Sequence, residues 1–297
     1  MADARFTGSG VALVTPFSED GVNERVLREL VRFHHREETD ALIVCGSTGE
    51  ASTMSPAEQR RVVEIVVEEN AGRLPVIAGC GGSDTAAVAR LAVQAREAGA
   101  DAVLVSAPPY NKPTQRGLLA HYRAVLDAAD LPLVVYNVPS RTAVNVLPAT
   151  IAELAEDPRV IGVKEASGDI VQVAELARLV GDRLAIWSGN DDQIVPILAL
   201  GGAGVISVLA NVAPRDTSRM VRRFLEGDVA GARELQLRYL PLVRALFAES
   251  NPIPVKAAVE WLGFEVGPVR LPLTPISEPA RDKLIAALRD AGLQPLC

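Results

Sequence analysis

The sequence predicts an α/β fold, a (β/α)8 TIM barrel with a C-terminal helical extension. Three observations carry that reading. Eight short runs, at residues 10–14, 41–45, 75–79, 102–106, 131–136, 160–164, 185–188 and 204–209, are apolar on both faces, as buried parallel strands are. Segments with helical period lie between them, and eight strand–helix units over roughly 225 residues match a closed barrel. The strands then stop after about Glu226. A doubly wound open sheet is the alternative. It usually has fewer strands, and no G-x-G-x-x-G stands at the first strand–helix turn.

The helices follow in order. Residues 23–37 open on a cap-like Asn23 and place Val26, Leu30 and Phe33 on one stripe. Residues 55–69 begin Ser55-Pro56-Ala57-Glu58, a capping box with proline in the first turn. Residues 84–98 and 169–180 open on Asp84 and Asp169, and 114–128, 148–155, 191–200 and 214–226 fill the remaining gaps. Three further helical segments, 229–248, 254–262 and 278–291, close the chain. The expected division is therefore a barrel over 1–226 and a helical region over 227–297. No Ser/Gly-rich linker separates them, so the second is expected to pack on the first. The uncharged stretch 193–214 imitates a membrane span. Pro196, the break Gly201-Gly202-Ala203-Gly204 and Asn211 make it read instead as a buried helix, a turn and a buried strand.

Composition narrows the function classes. The chain has 297 residues, 48% of them hydrophobic, enough for a sizeable core. The net charge of −7, with acidic residues dispersed, argues against nucleic acid or an anionic membrane as partner. Cys45, Cys80 and Cys297 show no C-x-x-C spacing, which gives no disulfide framework and fits a reducing compartment. His34, His35 and His121 have no metal-ligand spacing. Residues 1–10 contain an Asp and no apolar core, so no secretory signal is read there, and a cytoplasmic, soluble protein is expected.

Lysine usage gives the first chemical clue. Four lysines stand against 26 arginines, and Lys164 lies inside the apolar run Val160-Ile161-Gly162-Val163. Lys112, Lys256 and Lys283 sit in loop-like or helix-like polar settings. Arginine does not give up its proton, whereas lysine does when its surroundings disfavour charge. Lys164 thus reads as a nucleophilic amine, or as half of a buried ion pair with Glu165.

Barrel chemistry collects at the C-terminal ends of strands. The second run ends in Gly46-Ser47-Thr48-Gly49-Glu50, whose hydroxyls and amides suit a small carboxylate; a glycine turn with a helix cap is the plainer reading. The fourth ends in Ala107-Pro108-Pro109-Tyr110-Asn111, the fifth in Tyr136-Asn137-Val138-Pro139-Ser140-Arg141, the sixth at Lys164, and the seventh in Ser188-Gly189-Asn190-Asp191-Asp192. Alone, Tyr136 would be a buried aromatic and Arg141 a surface cation. Together, serine, tyrosine, lysine and arginine at four strand ends suit imine formation between a ketone and a neutral amine. At an ordinary pKa of ~10.4 about one lysine in 2,500 is neutral at pH 7, and a pKa of roughly 7–8 brings that to tens of per cent. Tyr136 would ferry protons, and Arg141 would grip a carboxylate. Asp191-Asp192 is expected to cap a helix rather than bind a metal. Asn251-Pro252-Ile253-Pro254-Val255-Lys256 reads as a rigid turn into a helix, with Lys256 solvated.

On these residues the chain resembles the dihydrodipicolinate synthase family of the pyruvate-dependent class I aldolases. The resemblance runs from Phe6-Thr7-Gly8-Ser9-Gly10 to about Gly263. It is strongest in Gly46-Ser47-Thr48-Gly49-Glu50, Tyr136-Asn137-Val138-Pro139-Ser140-Arg141-Thr142 and Gly162-Val163-Lys164-Glu165-Ala166-Ser167-Gly168-Asp169. It implies that Lys164 forms a Schiff base with pyruvate. Tyr136 would relay protons in a triad with Ser47 and with Tyr110 reaching in from a neighbouring subunit. Thr48 would hold the pyruvate carboxylate and Arg141 that of aspartate semialdehyde, while Gly189 and the Ile206 carbonyl line the pocket. No metal or organic cofactor is implied. The implied assembly is a homotetramer, a dimer of dimers.

Two departures matter. Ser47 stands where the family usually has threonine, and Gly-Ser-Thr-Gly-Glu also occurs in the sialic acid lyase branch; Arg141 and Glu165-Ala166-Ser167 favour the synthase. The positions matching the lysine-inhibitory cleft are Pro56, Gln59, Ser83, Ala87 and Pro109, with most polar contacts gone, so weak or absent lysine inhibition is expected. The competing functions are cleavage of N-acetylneuraminate or a 2-keto-3-deoxy sugar acid by the same lysine, and a keto-acid-binding barrel without turnover.

Overall fold

In the computed structural model, which describes residues 6–296, eight parallel strands close into a barrel in chain order. They are β1 Gly8–Ala12, β2 Ala41–Val44, β3 Val76–Cys80, β4 Ala102–Ser106, β5 Leu133–Asn137, β6 Val160–Glu165, β7 Ala185–Ser188 and β8 Gly204–Ser207. The helices between them are α1 Glu24–Arg36, α2 Pro56–Asn70, α3 Thr85–Glu97, α4 Gln115–Ala129, the four-residue α5 Pro139–Thr142, α6 Pro148–Leu154, α7 Ile170–Val180, α8 Ile194–Leu198 and α9 Pro214–Leu225. Then α10 Val229–Leu246 packs against α8 and α9, and α11 Ile253–Trp261 and α12 Glu278–Asp290 pack against α10. A two-stranded antiparallel ribbon, Phe17–Ser18 with Gly21–Val22, precedes α1. Cys297 lies outside the described residues.

Capping chemistry sets the helix starts. Asn23 Oδ1 accepts from Val26 N, Thr114 Oγ1 from Gly117 N, and Asp169 Oδ1 from Val171 N and Gln172 N. Ser55 and Glu58 complete the reciprocal capping box. The uncharged stretch resolves into α8 and β8, and among the described residues no helix is long and apolar enough to cross a membrane.

Two apolar layers hold the barrel. One lies between strands and helices. The other fills the barrel interior with Phe6, Ile43, Ile77, Leu104, Val134, Trp187 and Ile206. Trp187 is fully buried, stacks on Phe6 with ring centroids 4.8 Å apart, and donates from Nε1 to Phe6 O at 3.1 Å. Glycine is required opposite it, because a Cβ on Gly162 would lie 2.4 Å from Trp187 Cζ3. The first strand begins earlier than its apolar run. Gly8, Ser9 and Gly10 pair with Gly204, Val205 and Ile206, a close approach made by small residues rather than apolar ones.

Candidate active site

Strand register explains which side chains meet. Tyr136 pairs with Lys164 across β5 and β6, and Lys164 pairs with Trp187 across β6 and β7, so the three project from one face of the barrel wall. Asn137 and Glu165, one residue on, project from the other face, where Asn137 Nδ2 donates to Glu165 Oε2 at 3.0 Å and Ser167 N donates to Glu165 Oε1 at 2.6 Å. The period of two therefore separates Lys164 from Glu165, and the buried ion pair between them does not form. Burial pushes the Glu165 carboxyl up, against the pull of its donors.

Lys164 is 5% exposed, and its Nζ lies 4.5 Å from the centroid of the Tyr136 ring. Burial pulls its ammonium down to about 8; the Asp191 carboxylate works against that fall and the Arg141 cation adds to it. About one amine in ten is then neutral at pH 7, against one in thousands for a solvated lysine. Burial pushes the Tyr136 hydroxyl up to about 12, opposed by Arg141. Tyr136 thus keeps its proton at neutral pH and is able to donate it. Gly189 N donates to Glu165 O at 2.7 Å, and a Cβ at Gly189 would sit 2.7 Å from Ala166 Cβ and 3.2 Å from Lys164 Cε, so glycine is required where this turn passes the lysine.

A cavity of about 460 Å3 opens over these strand ends. Ser47, Tyr136 and Arg141 line it, with Ser106, Pro109 and Asn251. Lys164 adjoins it through the Tyr136 ring. Thr48 is buried, and its Oγ1 accepts from Asn251 Nδ2 at 2.9 Å. Arg141, on α5, donates from Nη2 to Asn251 O at 3.3 Å. Ile206 is fully buried in the barrel interior beside Trp187. Tyr110 stands apart, 92% exposed with φ of 73°, on the loop after β4.

Three features escaped the sequence reading. Asn251 ties Thr48 to Arg141, and its buried Oδ1 has no hydrogen-bond partner among the described residues. Lys256 is not solvated: it is 2% exposed, and its Nζ donates to Glu50 Oε1 at 2.8 Å and Pro268 O at 2.7 Å. Its helix turns the side chain inward onto the Gly46–Glu50 loop, which no local pattern reveals. Asp191 does not cap the segment it begins; its carboxylate accepts from Ser207, Val208 and Leu209 at the end of β8. Asp192 is exposed, and among the described residues no cluster of three or more His, Cys, Asp or Glu side chains is placed to hold a metal ion.

A closed barrel with a desolvated lysine at a strand end, beside a tyrosine and an arginine, is the arrangement of a Schiff-base lyase. The model of the Dihydrodipicolinate synthetase family matches residues 5–291, and the chain belongs to that family. A 4-hydroxy-tetrahydrodipicolinate synthase of Thermoanaerobacter sp. (strain X514) is 53% identical over 97% of each chain. Among solved structures, dihydrodipicolinate synthase from Aquifex aeolicus superposes with a TM-score of 0.95 at 42% identity, covering 98% of this chain and 99% of that one. The Thermotoga maritima enzyme does so with 0.94 at 43%, covering 97% and 99%.

Proposed function

We propose that the protein condenses pyruvate with L-aspartate 4-semialdehyde through an imine on Lys164, as a 4-hydroxy-tetrahydrodipicolinate synthase. The observation that carries this reading is the Lys164 amine, desolvated and set against the ring of Tyr136, which lines the cavity. The neutral amine adds to the pyruvate ketone, and the carbinolamine takes up one proton and loses water to give a cationic imine. Loss of a methyl proton gives the enamine, which attacks the aldehyde. Tyr136 moves protons at the carbinolamine oxygen with Ser47, and Thr48, steadied by Asn251, holds the pyruvate carboxylate. Arg141 takes the carboxylate of the second substrate as a planar two-pronged donor. Gly189 and the Ile206 carbonyl shape the pocket around the imine. Tyr110, exposed in the single chain, completes the relay in a neighbouring subunit, within a homotetramer built as a dimer of dimers. The protein works in the cytoplasm.

The test is a coupled assay of pyruvate with aspartate semialdehyde, run beside N-acetylneuraminate and 2-keto-3-deoxy sugar acids. Turnover of the first pair at least a hundredfold more efficient is expected. A sugar acid as the better substrate assigns the site to the aldolase branch, and saturable pyruvate binding without product assigns it to a sensor.

Lysine is expected to inhibit weakly or not at all. Pro56 opens α2 without an N–H to donate, and the Gln59 side-chain amide already donates to Ala51 O and Met54 O. Ser83, Ala87 and Pro109 offer at most one further hydroxyl. Half-maximal inhibition at sub-millimolar lysine contradicts this expectation.

A further inference from the structure

Asp191 lies outside the cavity lining, yet it is 2% exposed and tied to three elements. Its Oδ1 accepts from Ser207 Oγ at 2.5 Å, and its Oδ2 from Val208 N at 3.0 Å and Leu209 N at 2.9 Å, all at the end of β8. Its own carbonyl accepts from Gln236 Nε2 of α10 at 2.8 Å, and Gln236 Oε1 accepts from Val195 N of α8 at 3.1 Å. Two residues upstream, Gly189 lies against Lys164 Cε. The turn after β7 is thereby fixed over the amine. Burial pushes the Asp191 carboxyl up, and the three donors from Ser207, Val208 and Leu209, with the Lys164 ammonium, work against that rise and favour the anion.

We propose that Asp191 is a positioning residue for the reaction, clamping the turns after β7 and β8 against Lys164 and supplying a fixed negative charge to balance the cation formed there. This rests on the Schiff-base reading. In that step the neutral Lys164 nitrogen bonds the ketone carbon and passes one hydrogen to its oxygen, the C–O bond breaks as Tyr136 delivers one further proton, the oxygen leaves as water, and the C=N+ unit, which keeps the other amine hydrogen, carries one positive charge. Apolar walls favour the neutral amine but oppose the cationic imine. A buried anion held on the clamped turn, two residues from the glycine that lies against Lys164 Cε, restores the balance, and it acts on the Lys164 ammonium in the favouring direction. The other groups facing the amine are the Tyr136 ring and hydroxyl on β5 and the Arg141 guanidinium on α5, while the Glu165 carboxyl points to the opposite face of β6.

The experiment is the pH dependence of borohydride trapping of pyruvate on Lys164, with the pH profile of kcat/KM for pyruvate, in the wild type, Asp191→Asn and Asp191→Glu. The wild-type acid limb is expected near pH 8. Asp191→Asn is expected to move it down by about one unit, because the lost anion no longer favours the ammonium, and to lower kcat about tenfold. Asp191→Glu keeps the charge and is expected to hold the limb within about 0.3 units while lowering kcat. An unmoved or raised limb in folded Asp191→Asn overturns the inference. If that variant does not fold, Asp191→Glu decides: a limb displaced downward overturns the inference, and a limb held in place upholds it. Absence of any wild-type adduct on Lys164 sinks the Schiff-base reading itself, whereas an adduct with an unmoved Asp191→Asn limb sinks only the role of Asp191.

Discussion

Replacing Lys164 with arginine is expected to lower kcat/KM for pyruvate by about 10^4-fold or more and to abolish the borohydride-trapped adduct. A guanidinium keeps its proton throughout the working range, so no lone pair is available to attack the ketone. The substitution keeps charge and approximate length, which separates loss of nucleophilicity from loss of a cation. The Gly189 backbone lies close to Lys164 Cε, so Lys164→Met is the companion variant if the larger guanidinium distorts the turn. Residual activity above about one per cent in either variant, or an adduct mapped to Lys112 or Lys256, removes Lys164 from the chemistry.

The same lysine should carry a stability signature. Its ammonium is harder to maintain in the fold than in the unfolded chain, where the ordinary value of 10.5 applies. Between pH 8 and 10.5 the unfolded chain therefore binds more protons than the native one, and stability contributed by this group rises with pH across that window. Below pH 8 the native state carries a buried, disfavoured charge throughout. Lys164→Met is thus expected to melt at a higher temperature than the wild type at pH 7 while being inactive, a trade of stability for function at the site.

How much of this was legible in the sequence depends on the range of the interactions. The eight strands were readable because a strand covered on both faces must be apolar throughout. The edges slipped where small residues replace apolar ones, as at Gly8-Ser9-Gly10, and where apolar residues run on beyond the ladder, as at Leu131 and at Val208-Leu209. Lys164 was visible because one cation in such a run violates the pattern. Its partner was not: alternation along β6 sends Glu165 to Asn137 on the other face. Asn251 and Lys256 escaped because their partners, Thr48 and Glu50, lie 203 and 206 residues away, beyond any periodicity. Asp191 was placed at a helix start by its neighbours in sequence, whereas its hydrogen-bond donors come from the next strand.

Breaking the Lys256–Glu50 pair is expected to have the largest effect on stability. Both side chains are almost wholly buried, 3% and 1% exposed, with Nζ and Oε1 2.8 Å apart. Glu50 Oε2 also accepts from Arg270 N at 2.8 Å, and the Phe17 ring receives Lys256 Nζ at 4.3 Å and the Arg270 guanidinium at 3.9 Å from its centroid. Burial lowers the Lys256 ammonium's proton affinity, and the bond to Glu50 acts against that. Lys256→Met leaves a buried carboxylate short of its cation and is expected to cost about 3–5 kcal/mol, roughly a 10 °C fall in Tm for a chain of this size. Glu50→Gln leaves the cation instead and should cost about as much. Combining the two removes both charges, and the double variant is expected within about 2 kcal/mol of the wild type, giving a favourable coupling between the sites. Because Glu50 ends the loop that carries Ser47 and Thr48, each single variant should also raise KM for pyruvate, and the double variant should recover part of it. Additive losses in the double variant, with no coupling, indicate that the two charges act independently and that the loop is held by the Glu50 bond to the Arg270 backbone instead.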